Sequence, residues 1–434
     1  MTNRLVALAN GREMGSVMYR NARMSFVYDE SWRQDRNSYP LSLSMPLGSA
    51  EHGHSKIEPF LWGLLPDNDR VLENWAKRFQ VSPRNAFRLL ENVGEDCAGA
   101  VQFIRPDRLE SLRTEPLARE VTWLTEDEIA ERLRQLRADH SAWRAAADTG
   151  QFSLAGAQPK TALLFEGGRW GIPSGRTPTT HILKPPTGEW DGHAENEHFC
   201  LRLARACGLV VPNSSVRRFR DEIAIVIERY DRVYRAGERY RVHQEDICQA
   251  LALHPARKYE NEGGPGVRQI VELLRQYSSH PEDDVQSFLD AIAFNWLIAG
   301  TDAHAKNYAL LLGGQGGVRL APFYDLASVL PYRNINLRKA KLAMKIGGEY
   351  RLRNISLRHW DRLAAQVRTD GEALVGRISG MAAGLPDLAA TIQKEIEAEG
   401  LSHRTITVLC QRLKSSAKSC QKLLGTKATQ HTAH

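Results

Sequence analysis

The sequence predicts an α+β protein of two lobes, with a β-rich N-terminal part and a mainly helical C-terminal part. Three observations carry this reading. Short apolar strands broken by Gly-, Asn- and Pro-containing turns recur up to about residue 227. Beyond about residue 243 the apolar residues shift to a helical period. The chain has 434 residues, enough for two or three packed units.

The β reading begins at the N-terminus. Residues 5–9, the pair Asn10-Gly11 and residues 13–17 form a hairpin pattern with a type I′ turn. Residues 24–28 supply a third strand, and a helical section follows. Ser82-Pro83 is an N-cap and first-turn pair for a helix through Leu90. The stretch 93–103 is Gly-rich and then β-like, so residues 1–110 are expected to form an N-terminal β-rich subdomain. Pro106 and Pro116 within the charged stretch 105–122 suit a linker. A capping box, Thr125-x-x-Glu128, then opens a helix to about Ala138.

From Phe152 the character changes. A loop of small residues, 153–160, precedes an apolar strand at 161–165, a Gly167-Gly168 turn and Trp170-Gly171-Ile172. Residues 181–184 form another strand, stopped by Pro185-Pro186. Residues 195–207 have helical spacing, and 223–227 is a continuous apolar strand. This succession, expected to span 123–242, is a small antiparallel sheet with one helix, much like the nucleotide-binding lobe of a kinase. A helical lobe is expected over 243–415. Its clearest helix is 285–298, where Val285, Phe288, Leu289, Ile292, Ala293, Trp296 and Leu297 repeat at helical spacing and Gly300 ends the run. Residues 308–312, a Gly-rich turn and 318–321 then form a hairpin. The polar tail after Lys414, residues 416–434 in the domain division, is expected to be disordered.

Composition excludes several classes. No apolar run reaches the length of a membrane span, and residues 5–9 are too short for a secretory signal core, so a cytoplasmic protein without membrane contact is expected. Six scattered cysteines, without paired CxxC motifs, fit reduced structural thiols rather than a zinc site or a disulfide framework. The net charge of +7 permits a polyanion partner, nucleotide phosphate or DNA, without requiring one.

The chemistry concentrates at Asp302-Ala303-His304-Ala305-Lys306-Asn307, followed by Tyr324-Asp325. Phosphoryl transfer needs a carboxylate to orient the attacking hydroxyl and oxygen ligands to hold Mg²⁺ on the phosphates. Protein kinases place an Asp five residues before an Asn, and a metal-binding Asp after a short hairpin. The same order appears here, which makes Asp302 the candidate base and Asn307 and Asp325 the candidate Mg²⁺ ligands. Lys306 or His304 is expected near the phosphates. As a plain alternative, Asp302 and Asp325 would each only cap a local turn or helix.

Three further segments fit a nucleotide site. The 153–160 loop lets backbone N–H groups approach phosphate oxygens, although it lacks the two common glycine-rich patterns. Ser153 beside it reads as an exposed hydroxyl open to phosphorylation. Lys184 ends a strand upstream of a helix bearing Glu195 and Glu197, as a phosphate-binding lysine with a helix glutamate partner would. Glu228-Arg229-Tyr230-Asp231 follows an apolar strand where an interlobe hinge would lie, its backbone available to an adenine edge.

Taken together, SLAGAQPKT, THILKPP, IERYDR, HQEDICQAL, KYENEGGPG, GTDAHAKNY and APFYD resemble the HipA family. YPLSLSMPL, GLLPDN and GEDCAGAVQF resemble that family's N-terminal subdomain, so the likeness covers about residues 4–350. The resemblance implies a protein-kinase-like two-lobed fold and a bacterial ATP- and Mg²⁺-dependent serine/threonine kinase that serves as the toxin of a type II toxin–antitoxin pair. It implies that Asp302 is the catalytic base and that Asn307 and Asp325 bind Mg²⁺. Ala155, Gly156, Ala157, Gln158 and Lys160 would contact phosphate, and Lys184 the nucleotide. Glu228, Arg229 and Tyr230 would form the adenine hinge. His304, Lys306, Asn307 and Tyr324-Asp325 would line the ATP site.

The resemblance also implies autophosphorylation on Ser153, which ejects the loop and switches the kinase off. Glutamyl-tRNA synthetase would be the substrate, with growth arrest and persistence as the result. A HipB-like helix-turn-helix antitoxin would be the partner, and operator DNA would be reached through the complex. Pro159 departs from the pattern, standing where a member of the family has Glu and removing one backbone N–H from the loop. The alternatives are a small-molecule kinase sharing the Asp-x₄-Asn logic and an inactive module that holds an antitoxin on DNA.

Overall fold

A computed structural model of the chain describes residues 2–114, 121–140, 143, 152–175, 177–186, 188, 190–235 and 237–425. The chain divides into two compact units that interleave in sequence instead of following contiguous boundaries. The first comprises Met1–Pro185, Arg217–Arg257 and Ala309–Val318, and the second Pro186–Val216, Lys258–Tyr308 and Arg319–His434.

The first unit opens with a five-stranded sheet. Its order is Glu51–His52, Arg23–Tyr28, Arg12–Arg20, Arg4–Ala9, Val101–Ile104. Ala9 pairs with Arg12, so Asn10 and Gly11 alone make the expected hairpin turn. Their φ values, 47° and 84°, are both positive, as a type I′ turn demands. Alternate residues of the first strand face opposite sides. Leu5 and Ala7 join Met14, Val17 and Phe26 in a core closed by Ile57, Phe60 and Phe87 from two helices. Val6 and Leu8 meet Ile104 and Leu109 on the other face.

Leu109 corrects the linker expected at 105–122. Residues Pro106–Thr114 are helical, with Pro106 at the first helical position, where its missing N–H costs nothing. Val121–Leu124 is a strand, and residues 115–120 lie outside the described residues. A second correction concerns the helix expected to start at Ser82-Pro83. Ser82 caps only a turn, through Arg84 N, and the helix Ala86–Val93 takes its N-cap from Asn85, whose side chain accepts from Arg88 N at 3.1 Å. The Thr125/Glu128 capping box forms as expected and starts Glu126–Ala138.

A six-stranded antiparallel sheet follows, in the order Ser214–Phe219, Glu222–Glu228, His181–Lys184, Thr161–Glu166, Arg169–Pro173, Val121–Leu124. It places Lys184 opposite Ile225 and Glu228 opposite His181. A three-stranded sheet of His243–Asp246, Ala309–Leu312 and Val318–Leu320 contains the hairpin read from the sequence.

Two buried polar features hold this unit. The Asp96 carboxylate lies 2.8 Å from Arg232, 3.3 Å from Arg241 and 3.6 Å from Arg229, and accepts from Thr179 Oγ1 at 2.6 Å. Asp231 neutralises Arg229 at 2.9 Å and Arg232 at 3.0 Å, and accepts from Gly99 N at 2.8 Å. Burial opposes ionisation of Asp96, yet the three guanidiniums overcome it and hold the carboxyl well below the ordinary range. Glu245 is the opposite case. Its Oε1 accepts from Leu43 N at 2.8 Å, but its Oε2 has no partner among the described residues. Burial pushes its carboxyl up to about 8.

The second unit is mainly helical. Gly371–Ala398 and Arg404–Gly425 pack against each other, on His193–Ala206 and on Pro281–Ile298 and Leu357–Val367, and Val267–Tyr277 packs on the latter two. Trp296 and Trp360 meet edge-on at 5.5 Å in their shared core. The helix Pro281–Ile298 ends on Ala299 in the left-handed conformation, not on Gly300 as expected. Gly300 serves a close approach instead, since a Cβ there would fall 2.2 Å from Asn295 Oδ1.

The last helix, Arg404–Gly425, corrects the disordered tail expected after Lys414. Ile406, Leu409, Leu413, Ala417, Cys420 and Leu424 form a buried stripe that runs through the polar stretch. Residues 426–434 lie outside the described residues. No helix among the described residues is long and apolar enough to cross a membrane. All six cysteines are free thiols.

Two outcomes are expected. Asp96→Ala strands buried guanidiniums and costs ~3–5 kcal/mol, read as a lower denaturation midpoint in urea. The pH dependence follows from Glu245. Its folded carboxyl titrates near 8, against about 4.3 in an unfolded chain. Across that window the folded state keeps a proton that the unfolded state loses, so its contribution destabilises the fold progressively as pH rises and levels off above 8. Glu245→Gln flattens that slope in thermal melts taken from pH 5 to 8.

Candidate active site

The segment after helix Pro281–Ile298 closes on itself. Asn307 Nδ2 donates to the Asp302 carbonyl at 2.8 Å, and the same carbonyl accepts from His304 N at 2.8 Å. The spacing read from the sequence thereby gains a local reason: five residues bring the amide side chain back onto the Asp backbone. A 3₁₀ turn, Ala305–Asn307, completes the loop, and Ala305 N donates to the Lys258 carbonyl at 3.1 Å. The Asp302 side chain is exposed, whereas His304, Lys306 and Asn307 are buried.

Tyr324 binds this loop from the following segment, donating its hydroxyl to the Lys306 carbonyl at 2.6 Å. That bond brings Asp325, the next residue, to the same region. Asp325 holds φ at 54°, an uncommon conformation that Asp tolerates better than most residues. Behind it, Ser328 N donates to Asn196 Oδ1 at 3.1 Å and Asn196 Nδ2 donates to the Ser328 carbonyl at 2.7 Å. This reciprocal pair fixes helix His193–Ala206 to the segment that carries Asp325. Glu195 and Glu197 lie in that helix and are buried. Glu195 Oε2 has no partner among the described residues.

The remaining candidates belong to the first unit. Gly156 has φ +103° and its carbonyl accepts from Asp67 N at 3.0 Å. A Cβ at Gly156 would stand 2.6 Å from Lys160 Nζ. Lys160 Nζ donates to the Ala155 carbonyl at 2.6 Å and faces the Trp143 ring at 5.1 Å. Ala157 and Gln158 lie between these anchors, and Pro159 directly precedes Lys160.

Ser153 overturns one expectation. It is fully buried rather than exposed: its hydroxyl donates to the Leu64 carbonyl at 2.7 Å and its N–H to the Asp96 carbonyl at 3.0 Å. The hydroxyl replaces water in satisfying a buried carbonyl, which composition alone could not indicate.

After strand Glu222–Glu228, Arg229 N donates to the Thr180 carbonyl at 2.9 Å, and the Arg229 side chain is committed to Asp231, Thr179 and the Cys97 carbonyl. The Tyr230 hydroxyl donates to Gln244. Lys184 is buried on its strand.

The donor set fits Mg²⁺. Asn307 uses the nitrogen end of its amide on Asp302, which leaves Oδ1 as its acceptor end, and Asp325 supplies a carboxylate. Mg²⁺ characteristically takes one or two protein oxygens and completes its shell with phosphate and water. A dedicated cluster of three or more His, Cys, Asp or Glu is absent among the described residues, as such a site allows.

Sequence reasoning missed Tyr259, whose hydroxyl donates to Asp302 Oδ1 at 2.6 Å, and also the anchors Asn196 and Asp96. Tyr259 and Asp96 sit inside KYENEGGPG and GEDCAGAVQF, strings that carried a likeness but no stated role.

The two-lobed α+β fold is of the protein-kinase-like class. Residues 152–389 match the HipA-like C-terminal domain and residues 5–104 the HipA N-terminal domain. A putative kinase of Sinorhizobium fredii, Y4mE, is 36% identical over 394 residues, covering 89% of this chain and 91% of that one. The serine/threonine-protein kinase toxin HipA of Shewanella oneidensis is 31% identical over 338 residues, covering 74% and 73%. The solved complex of Shewanella oneidensis HipA with HipB and operator DNA superposes with a TM-score of 0.83 at 24% identity, over 96% of this chain and 98% of that one. The chain belongs to the HipA family of kinase toxins.

One outcome tests the seat of Ser153. Ser153→Glu places an uncompensated carboxylate in a buried position, so the 153–160 loop leaves it, read as new protease cleavage within the loop. Ser153→Ala leaves only the Leu64 carbonyl unpaired, costs ~1–3 kcal/mol and keeps the loop protected.

Proposed function

We propose that this chain is an ATP- and Mg²⁺-dependent serine/threonine protein kinase that acts as the toxin of a toxin–antitoxin pair. The supporting observation is the loop from Asp302 to Asn307, closed by its own side chain and tied through Tyr324 to Asp325. In this reading Asp302 orients the acceptor hydroxyl and takes its proton as that oxygen attacks the γ-phosphorus. Asn307 and Asp325 hold Mg²⁺, which neutralises charge on the phosphates. Lys184, the Ala155–Lys160 backbone with Lys160 itself, and His304 and Lys306 bind the phosphates. The Glu228–Tyr230 backbone receives the adenine.

Ser153 is the proposed site of autophosphorylation. Its burial gives the modification a consequence. A phosphate carries nearly two negative charges, and Ser153 sits beneath a backbone carbonyl with its hydroxyl already committed. The modified residue is incompatible with that seat, so the loop moves out and the phosphate-binding surface is lost.

The proposed partner is a HipB-like helix-turn-helix antitoxin, with operator DNA bound by the complex. Support comes from the Shewanella oneidensis assembly described above. Glutamyl-tRNA synthetase is the proposed substrate, with growth arrest and persistence following from stalled translation. This assignment rests on the family resemblance.

Incubation with γ-labelled Mg-ATP is expected to label the wild-type chain on Ser153, located by mass spectrometry. Asp302→Asn abolishes labelling while retaining ATP binding by calorimetry. Normal labelling of that variant removes Asp302 as the base. A phosphoproteome with no modified protein beyond the kinase itself favours a small-molecule substrate.

A further inference from the structure

The motif KYENEGGPG has no part in the functions assigned so far, yet it reaches the proposed base. Lys258 and Tyr259 lie in the same compact unit as Asp302. The Lys258 carbonyl accepts from Ala305 N, inside the candidate catalytic loop. One residue on, the Tyr259 hydroxyl donates to Asp302 Oδ1 at 2.6 Å, a short, charge-assisted bond. The Tyr259 ring also meets the His304 ring edge-on at 5.0 Å.

The rest of the motif holds Tyr259 in place. The Tyr259 carbonyl accepts from Glu262 N at 3.0 Å and Gly264 N at 2.9 Å. Gly263 adopts φ +88° to make that turn. Glu260 accepts from Lys345 N at 2.6 Å and lies 3.8 Å from Lys345 Nζ. Gly266 leaves room for Glu260: a Cβ there would lie 2.8 Å from its carboxyl carbon. A tyrosine so anchored is a fixed reference point, whereas an exposed aspartate side chain on a turn is otherwise free to change rotamer.

We propose that Tyr259 is a positioning residue for the phosphoryl-transfer base. It engages Asp302 Oδ1 and thereby presents Oδ2 to the acceptor hydroxyl. This rests on the reading of Asp302 as the base. The acceptor oxygen forms its bond to the γ-phosphorus, the bond from that phosphorus to the bridging oxygen of ADP breaks, and the hydroxyl proton passes to Oδ2. The Tyr259 proton stays on its phenol throughout. Misplacing a reacting group by about 1 Å can cost ~100-fold in rate, so the effect falls on turnover and not on nucleotide binding.

The test uses the full chain and γ-labelled Mg-ATP, with initial rates of label transfer to the chain itself as readout. Tyr259→Phe keeps the ring and its contact with His304 and removes only the hydroxyl. It is expected to lower kcat ~10–100-fold while the KM for ATP and the calorimetric affinity stay within about twofold. A wild-type rate for Tyr259→Phe overturns the proposal, since ring packing alone would then suffice. So does a loss that appears wholly in the KM for ATP. An inactive Asp302→Asn beside an unimpaired Tyr259→Phe sinks the proposal alone. An unimpaired Asp302→Asn sinks the functional reading and this inference with it.

Discussion

The buried carboxylate of Asp96 is the interaction on which the first unit's functional geometry depends. It draws Arg229, Arg232 and Arg241 into an apolar interior and takes Thr179 as well. Each arginine alone would be costly there, and the arrangement stands because Asp96 and Asp231 share the compensation. The same residue holds the 153–160 loop at its start, because the Asp96 carbonyl accepts the Ser153 N–H. One residue therefore ties the segment after helix Ala86–Val93 to Arg229 and Arg232 and to the loop that carries Ser153. Arg232 and Arg229 extend the bracing by donating to the Cys97 carbonyl.

The second unit achieves rigidity by a different route. Its candidate catalytic loop is small and polar and is closed mostly by backbone carbonyls: that of Asp302 to Asn307, that of Lys306 to Tyr324 and that of Lys258 to Ala305. Neutral bonds of this kind fix direction without the desolvation that an ion cluster demands. They leave the Asp302 carboxylate exposed, with Tyr259 as its defined side-chain partner. The unusual φ of Asp325 fits the same economy, since a bond at Tyr324 and the Asn196–Ser328 pair bracket the strained residue on both sides.

Much of the candidate site could be proposed from the sequence, because phosphoryl transfer restricts residue type and spacing. Asp302, Asn307 and Asp325 stand as candidates from their order alone, and the structure adds a hydrogen bond across the five-residue interval. The fold was legible wherever a periodic pattern was long or a turn required particular residues. Asn10-Gly11, the Thr125/Glu128 box and the stripe from Val285 to Leu297 are such places. It was misread where composition competed with packing. Pro106 looked like a breaker but begins a helix, Ser82 looked like a cap where Asn85 is one, and the polar stretch after Lys414 hid a buried stripe.

The sequence by itself determined the family likeness, much of the strand and helix content and the candidate residues of the proposed site, because these depend on side-chain identity and short intervals along the chain. Only the tertiary structure decided that Ser153 is buried against Leu64, that Asp96 gathers three arginines and that Tyr259 meets Asp302. Those contacts join residues separated by 89, 136 and 43 positions. No local propensity encodes such pairings. They arise when the burial of apolar strands and helices brings distant polar groups together, and each of those groups must then find a partner.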